Sequence, residues 1–166
     1  MLFDTHAHLD DHAFDADRRE LIASLPGQGI GLLMNPGCSF ESSRNAIALA
    51  EEYDFIYAAV GSHPDVADEV VDALIAEYRE LCKHPKVKAI GEIGLDYHYE
   101  DISREIQKRG RNTNATAPPS FGESCRTLRM WRRSFRMCGC RSGPASRRMT
   151  RTICGFMWAA LPGIWP

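Results

Sequence analysis

Through the first hundred residues, apolar runs of strand length alternate with stretches whose apolar side chains return every three or four positions. LFDTHAHL (2–9) is a short β-compatible run at the terminus. Leu21, Ile22 and Leu25 then form one helical stripe that Pro26-Gly27 stops. IGLLMNPG (30–37) lacks polar alternation and ends at Pro36-Gly37, as expected of a strand covered on both faces. Ala46, Ile47, Ala50 and Tyr53 recur at helical spacing behind Ser39 and Ser42, either of which can cap the helix start. FIYAAVGSHP (55–64) reads as another buried strand. Asp65 can cap a helix from about 66 to 84 whose apolar face is Ala67, Val70, Val71, Leu74, Tyr78, Leu81 and Cys82. KVKAIGEIGLDY (86–97) is a fourth strand, and DISREIQKR (101–109) opens a further helix-like segment. The order β-α-β-α-β-α-β with short loops predicts a parallel sheet with helices packed outside it. Beyond Arg109 the periodicity stops, and Gly110, Asn112, Asn114, Pro118 and Pro119 read as breakers.

Composition changes at the same point. Residues 1–109 carry 21 acidic and 10 basic side chains (net −11), and residues 110–166 carry 1 and 10 (net +9). Every basic residue of the second block is Arg; all six His and all four Lys lie in the first, and all three Trp and four of six Cys in the second. The chain therefore divides at 109/110 into a β/α unit and an Arg-rich tail expected to be unstructured. At 166 residues it supports one ordinary domain, but a closed eight-fold barrel takes about 250. The least polar stretch, ICGFMWAALPGIW (153–165), is shorter than the ~20 apolar residues of a membrane span. No Lys or Arg precedes Arg18 and no apolar signal region follows the first Met, so the expectation is a cytoplasmic protein with no membrane partner. Cys38 and Cys82 show no framework spacing and read as reduced thiols used as small core residues.

Asp4, His6 and His8 alternate, so on a strand they share one face. Two imidazoles aimed at one point are a compact pair of ligands for Zn or a similar ion, although His-x-His alone also fits two exposed or core histidines. Its place at the end of the first strand of a β/α series sharpens the reading, because active-site residues gather at such ends. Glu92 is the natural third ligand, with Gly91 and Gly94 beside it to permit close approach, or a solvated Glu at a Gly-rich strand end. His63, in GSHP at the end of the third strand, is a fourth polar group on the same rim, or a turn histidine held by Pro64.

LFDTHAHLD, GSHP and GEIGLDY, in this order and spacing, closely resemble the landmarks of the TatD family of metal-dependent hydrolases over about residues 1–109. The resemblance implies a (β/α)8 TIM-type barrel of the metallo-dependent hydrolase superfamily, incomplete here at about four β/α units. It implies one or two divalent ions (Mg, Mn or Zn) and hydrolysis of DNA phosphodiester bonds. It also implies that His6, His8 and Glu92 are metal ligands and that His63 lies close to the substrate. Asp96 belongs to the motif without a role assigned. The phosphoesterases of the polymerase and histidinol phosphatase type also begin with His-x-His on a first strand but lack the GEIGLDY landmark.

In the family the remaining ligands and the base, two further histidines and an aspartate, come from later strands; here no His follows His98 and no Asp follows Asp101. Cys138 and Cys140 offer a C-x-C spacing, but nothing places them over the strand ends. A reading-frame shift near codons 109 and 110 accounts for the joint change in vocabulary. The expected product is an open half-barrel with first and fourth strand edges unpaired, prone to self-association and lacking a complete catalytic set. The alternative is a non-catalytic nucleic-acid-binding protein that works through its basic tail.

Overall fold

The computed structural model describes residues 1–98, 101–114 and 159–160. Four parallel strands, β1 (Leu2–Asp4), β2 (Ile30–Pro36), β3 (Ile56–Val60) and β4 (Val87–Ile90), lie side by side in chain order. The helices α1 (Arg18–Ser24), α2 (Phe40–Glu52) and α3 (Asp72–Leu81) are the crossovers between them, and α4 (Arg104–Asn114) follows β4. The sheet separates two apolar layers. Leu33, Ile56, Ala58, Val60 and Val87 meet Ile22, Ala46, Ile47, Ala50, Ile75 and Tyr78 of the helices, while Phe3, Met34, Ala59 and Ala89 form a smaller cluster with Leu32 and Tyr57. On β3 this is the alternation of a pleated strand. On β4 one extra residue intervenes, because Ala58 and Ala59 pair with Val87 and Ala89; skipping Lys88 lets Val87 and Ala89 serve opposite layers.

Local chemistry explains most boundaries. Ser39 caps α2, its hydroxyl accepting from the Ser42 N–H. The chain after α1 turns through Pro26–Gln28 and is released by Gly29 at φ 90°, a left-handed position that suits glycine.

The expected helix over 66–84 is divided. A 3-10 segment, Pro64–Glu69, is capped by His63, and α3 starts only at Asp72. The β-branched pair Val70-Val71 between them is extended, with ψ of 99° and 164°, and Val71 is exposed. Helix α4 continues past Arg109 to Asn114. Gly110 acts there as a packing residue, since a Cβ on it would come within 2.9 Å of the Ala67 Cβ. The expectation of a bare fourth-strand edge is also corrected: Ala159–Ala160 (β5) pairs antiparallel with Ala89 and Ile90 of β4. The rest of the tail, with Cys138 and Cys140, lies outside the described residues. No helix among the described residues is long and apolar enough to cross a membrane.

Candidate metal centre

The three expected ligands meet at the C-terminal ends of the strands. His6 and His8 follow β1, and Glu92 follows β4 across two intervening strands. The Nε2 atoms of His6 and His8 are 3.0 Å apart, and Glu92 Oε2 lies 3.6 Å from the first and 3.4 Å from the second. Among the described residues this is where His, Cys, Asp and Glu side chains converge closely enough to share an ion. Glu92 is buried, while His6 is partly open to solvent.

One contact fixes what the cluster can do. His8 Nδ1 lies 3.1 Å from the carbonyl oxygen of Pro36. A carbonyl only accepts, so Nδ1 carries the proton and donates it, and the Nε2 lone pair is turned toward His6 and Glu92. Metal-bound histidines are held in this way by outer partners. Two nitrogens and a carboxylate oxygen then face one another and require a cation between them. Where no metal ion is bound, a proton fills that role: hydrogen bonds to Cys38 and to Glu92 push the His8 imidazole up to about 10. Burial, outweighing Glu92, lowers His6, which leaves its Nε2 free to accept. Burial pushes the Glu92 carboxyl up, but the His8 hydrogen bond and the neighbouring imidazoles prevail, and the net shift is downward. The donor set of two imidazoles and one carboxylate therefore fits a divalent ion such as Zn, Mn or Mg.

The backbone that carries these groups is tied to the end of β2. The Glu92 N–H donates to the Gly37 carbonyl at 2.9 Å, next to the Pro36 carbonyl that holds His8. The Gly37 N–H donates to the Ala59 carbonyl, and the Gly91 N–H to that of Val60. Gly61 is needed where β3 ends, because a Cβ there would stand 2.9 Å from the Gly91 carbonyl carbon and the Ile93 Cγ2.

His63 stands at the end of β3, mostly buried, its N–H donating to the Cys38 carbonyl at 2.7 Å. Its Nδ1 lies 2.7 Å from Asp65 Oδ1, which orients the ring, and its charge bears on both His6 and Glu92. Asp96 does not join the cluster. Its carboxylate accepts from the His98 N–H, and its backbone is bracketed by the buried Gln107 of α4.

Sequence reasoning placed Cys38 in the core; its Sγ instead lies 3.6 Å from His8 Nδ1 and 4.0 Å from Glu92 Oε2, at the edge of the site. It also passed over Asp10 and Asn35, which hold the loop after His8. Asp10 stood within the LFDTHAHLD stretch; Asn35, a polar residue inside an apolar strand run, was the available signal for the second.

A family model described as TatD related DNase matches residues 3–110. The chain belongs to the TatD family. It is 43% identical over 108 residues to the uncharacterized metal-dependent hydrolase YabD of Bacillus subtilis, an alignment covering 65% of this chain and 42% of that protein. It is 35% identical over 122 residues to a 3'-5' ssDNA/RNA exonuclease TatD of Musicola paradisiaca, covering 73% and 46% respectively. Among solved structures, the TatD homolog YjjV of Escherichia coli K12 superposes with a TM-score of 0.62 at 30% identity, over 68% of this chain and 44% of that one. A TatD family hydrolase of Entamoeba histolytica shares the fold at 21% identity, with a TM-score of 0.64 over 78% and 54%. This TatD-family chain thus spans less than half the length of the curated relatives it matches. Its four parallel strands are the sheet that the alternating pattern predicts and part of the incomplete (β/α)8 TIM-type barrel that the family resemblance implies.

Proposed function

We propose that this chain carries the first part of a metal-dependent hydrolase centre acting on DNA phosphodiester bonds, with His6, His8 and Glu92 as metal ligands and His63 beside the substrate. The observation that carries the reading is the convergence of His6 Nε2, His8 Nε2 and Glu92 Oε2, with His8 turned by the Pro36 carbonyl so that its lone pair points inward. A nucleic-acid substrate is supported by a relative named as an ssDNA/RNA exonuclease. A bound divalent ion supplies charge to offset the phosphodiester and to activate water. The chain's own residues position it: His8 is held in one tautomer, Glu92 adds negative charge from a buried site, and Asp65 orients His63.

The 166-residue chain itself is proposed to be inactive, because it holds no His after His98 and no Asp after Asp101 to complete the site, and residues acting as a unit fail together. Titration calorimetry with Zn or Mn should show binding that His8→Ala removes; no uptake of any divalent ion would refute the metal centre. Cleavage of labelled DNA should stay at background with Mg, Mn or Zn. Continuing residue 109 into the alternative reading frame should restore cleavage, and His6→Ala or Glu92→Ala should then suppress it. Metal-dependent cleavage by the unaltered chain, lost on His8→Ala, would refute the proposed inactivity. The edge position of β1 further leads us to expect self-association; a monodisperse monomer in sedimentation would contradict it.

A further inference from the structure

Asn35 is fully buried in a strand whose neighbours Leu33 and Met34 are apolar. A buried amide is costly unless its donors and acceptor are all used, and here they point to the loop after His8. Its Oδ1 accepts from the Leu9 N–H at 2.6 Å, and its Nδ2 donates to Asp10 Oδ1 at 2.7 Å. No other amide orientation satisfies both partners, since a backbone N–H must meet the oxygen and a carboxylate must meet the nitrogen. The second Asp10 oxygen accepts from the Ser42 hydroxyl at 2.7 Å, and Ser42 Oγ accepts from the Cys38 N–H. A chain of hydrogen bonds thus runs from β2 through Asp10 to the first turn of α2 and back to residue 38.

We propose that Asn35 and Asp10 are positioning residues for His8, an assignment that rests on the metal-centre reading above. The Asn35 side chain fixes the backbone of residues 9 and 10, directly after His8, while the carbonyl of the next strand residue, Pro36, takes the His8 Nδ1–H. Both ends of residue 8 are therefore referenced to one strand end, the backbone by position 35 and the ring by position 36. Loss of the Asn35–Asp10 pair frees the loop, and the His8 ring leaves the Pro36 carbonyl.

The test uses the full chain and two readouts, the ¹H–¹⁵N imidazole signals of metal-free protein, which report whether the His8 Nδ1–H is held by the Pro36 carbonyl and protected from exchange, and calorimetric titration with Zn alone. Asn35→Asp puts two carboxylates face to face. It should release the His8 Nδ1–H into rapid exchange with water and lower Zn affinity by about 10–100-fold, the range for outer partners of metal ligands, in protein whose circular dichroism shows it folded. Asp10→Asn alone should stay close to the parent, because its amide can still accept from Asn35 and donate to Ser42. Combining Asn35→Asp with Asp10→Asn should recover most of both readouts, since an amide again faces a carboxylate. A His8 Nδ1–H as protected in folded Asn35→Asp as in the parent, or a double variant no better than that single one, would overturn the assignment. If Asn35→Asp does not fold, Ser42→Ala, which removes the second anchor of Asp10, decides by the same imidazole readout: a His8 Nδ1–H that exchanges faster supports the clamp, and an unchanged one refutes it. Failure of the parent to take Zn would refute the metal centre, and protection of the His8 Nδ1–H in metal-free protein would still judge the clamp.

Discussion

Replacing Gly61 by Ala tests how tightly the site depends on the meeting of two strand ends, those of β3 and β4. The added methyl would stand 2.9 Å from the Gly91 carbonyl carbon, 2.9 Å from Ile93 Cγ2 and 3.1 Å from Gly91 Cα. Carbon atoms settle at roughly 3.5–4.0 Å, so each neighbour would have to retreat by about 0.5–1 Å. Neither is free to do so. The Gly91 and Glu92 N–H groups are bonded to Val60 and Gly37 at 2.9 Å, and Ile93 is buried. Overpacking of this kind costs about 1–3 kcal/mol, equivalent for a domain of this size to a fall in Tm of very roughly 5–20 °C. Gly27→Ala is the matched control: nothing lies within 4 Å of its Cβ position, and restricting the unfolded chain should leave Tm unchanged or raise it by a few degrees. Thermal melts followed by circular dichroism compare the two, with Zn titration as a second axis, because displacing Gly91 carries Glu92 with it. Equal melting temperatures for the two variants would refute the claim that the approach of β3 to residues 91–93 limits the packing here.

Three further outcomes follow from particular contacts. Tyr78→Phe removes a buried hydroxyl that donates to the Gly61 carbonyl at 3.0 Å and lies 2.9 Å from Ser62 Oγ; urea denaturation should show a loss of about 1–3 kcal/mol. Lys86→Met deletes the ammonium that bonds the carbonyls of Tyr53, Asp54 and Ile56 after α2, and should cost about 1 kcal/mol in the same assay. Burial pushes the Cys82 thiol up to about 11, so its thiolate is scarce at pH 8 and grows as pH rises toward that value. Iodoacetamide labelling of Cys82, mapped by mass spectrometry, should be slow in native protein and accelerate at least tenfold in denaturant; equal rates would contradict its burial.

The strands were legible because a parallel strand covered on both faces reads as a nearly continuous apolar run, as in IGLLM and FIYAAV. The ligands were legible for a different reason: histidines and a glycine-flanked glutamate at strand ends have few roles in a core. What escaped depended on distant partners. Periodicity cannot tell a 3-10 turn from the start of an α-helix, so the extended pair Val70-Val71 stayed hidden inside a continuous stripe. Gly110 reads as a breaker until Ala67 is seen against it, and Cys38 reads as a core thiol until β1 brings His8 alongside. Asn35 shows the same limit, since its partners Leu9 and Asp10 are some 25 positions away in the chain.

The consecutive carbonyls of Pro36 and Gly37 act as a ruler. One receives the His8 ring and the other the Glu92 amide, so two ligands arriving from either side of β2 are referenced to adjacent residues, whose Cα atoms covalent geometry holds about 3.8 Å apart. Strand β2 is flanked by β1 and β3, so this gauge sits inside the sheet and not on a seam. Closing the circle of eight strands is then unnecessary for the spacing of these first ligands. A short cassette of β1, the ends of β2 and β3 and the turn after β4 holds these references and is the portion to graft when moving this half of the centre onto another parallel sheet.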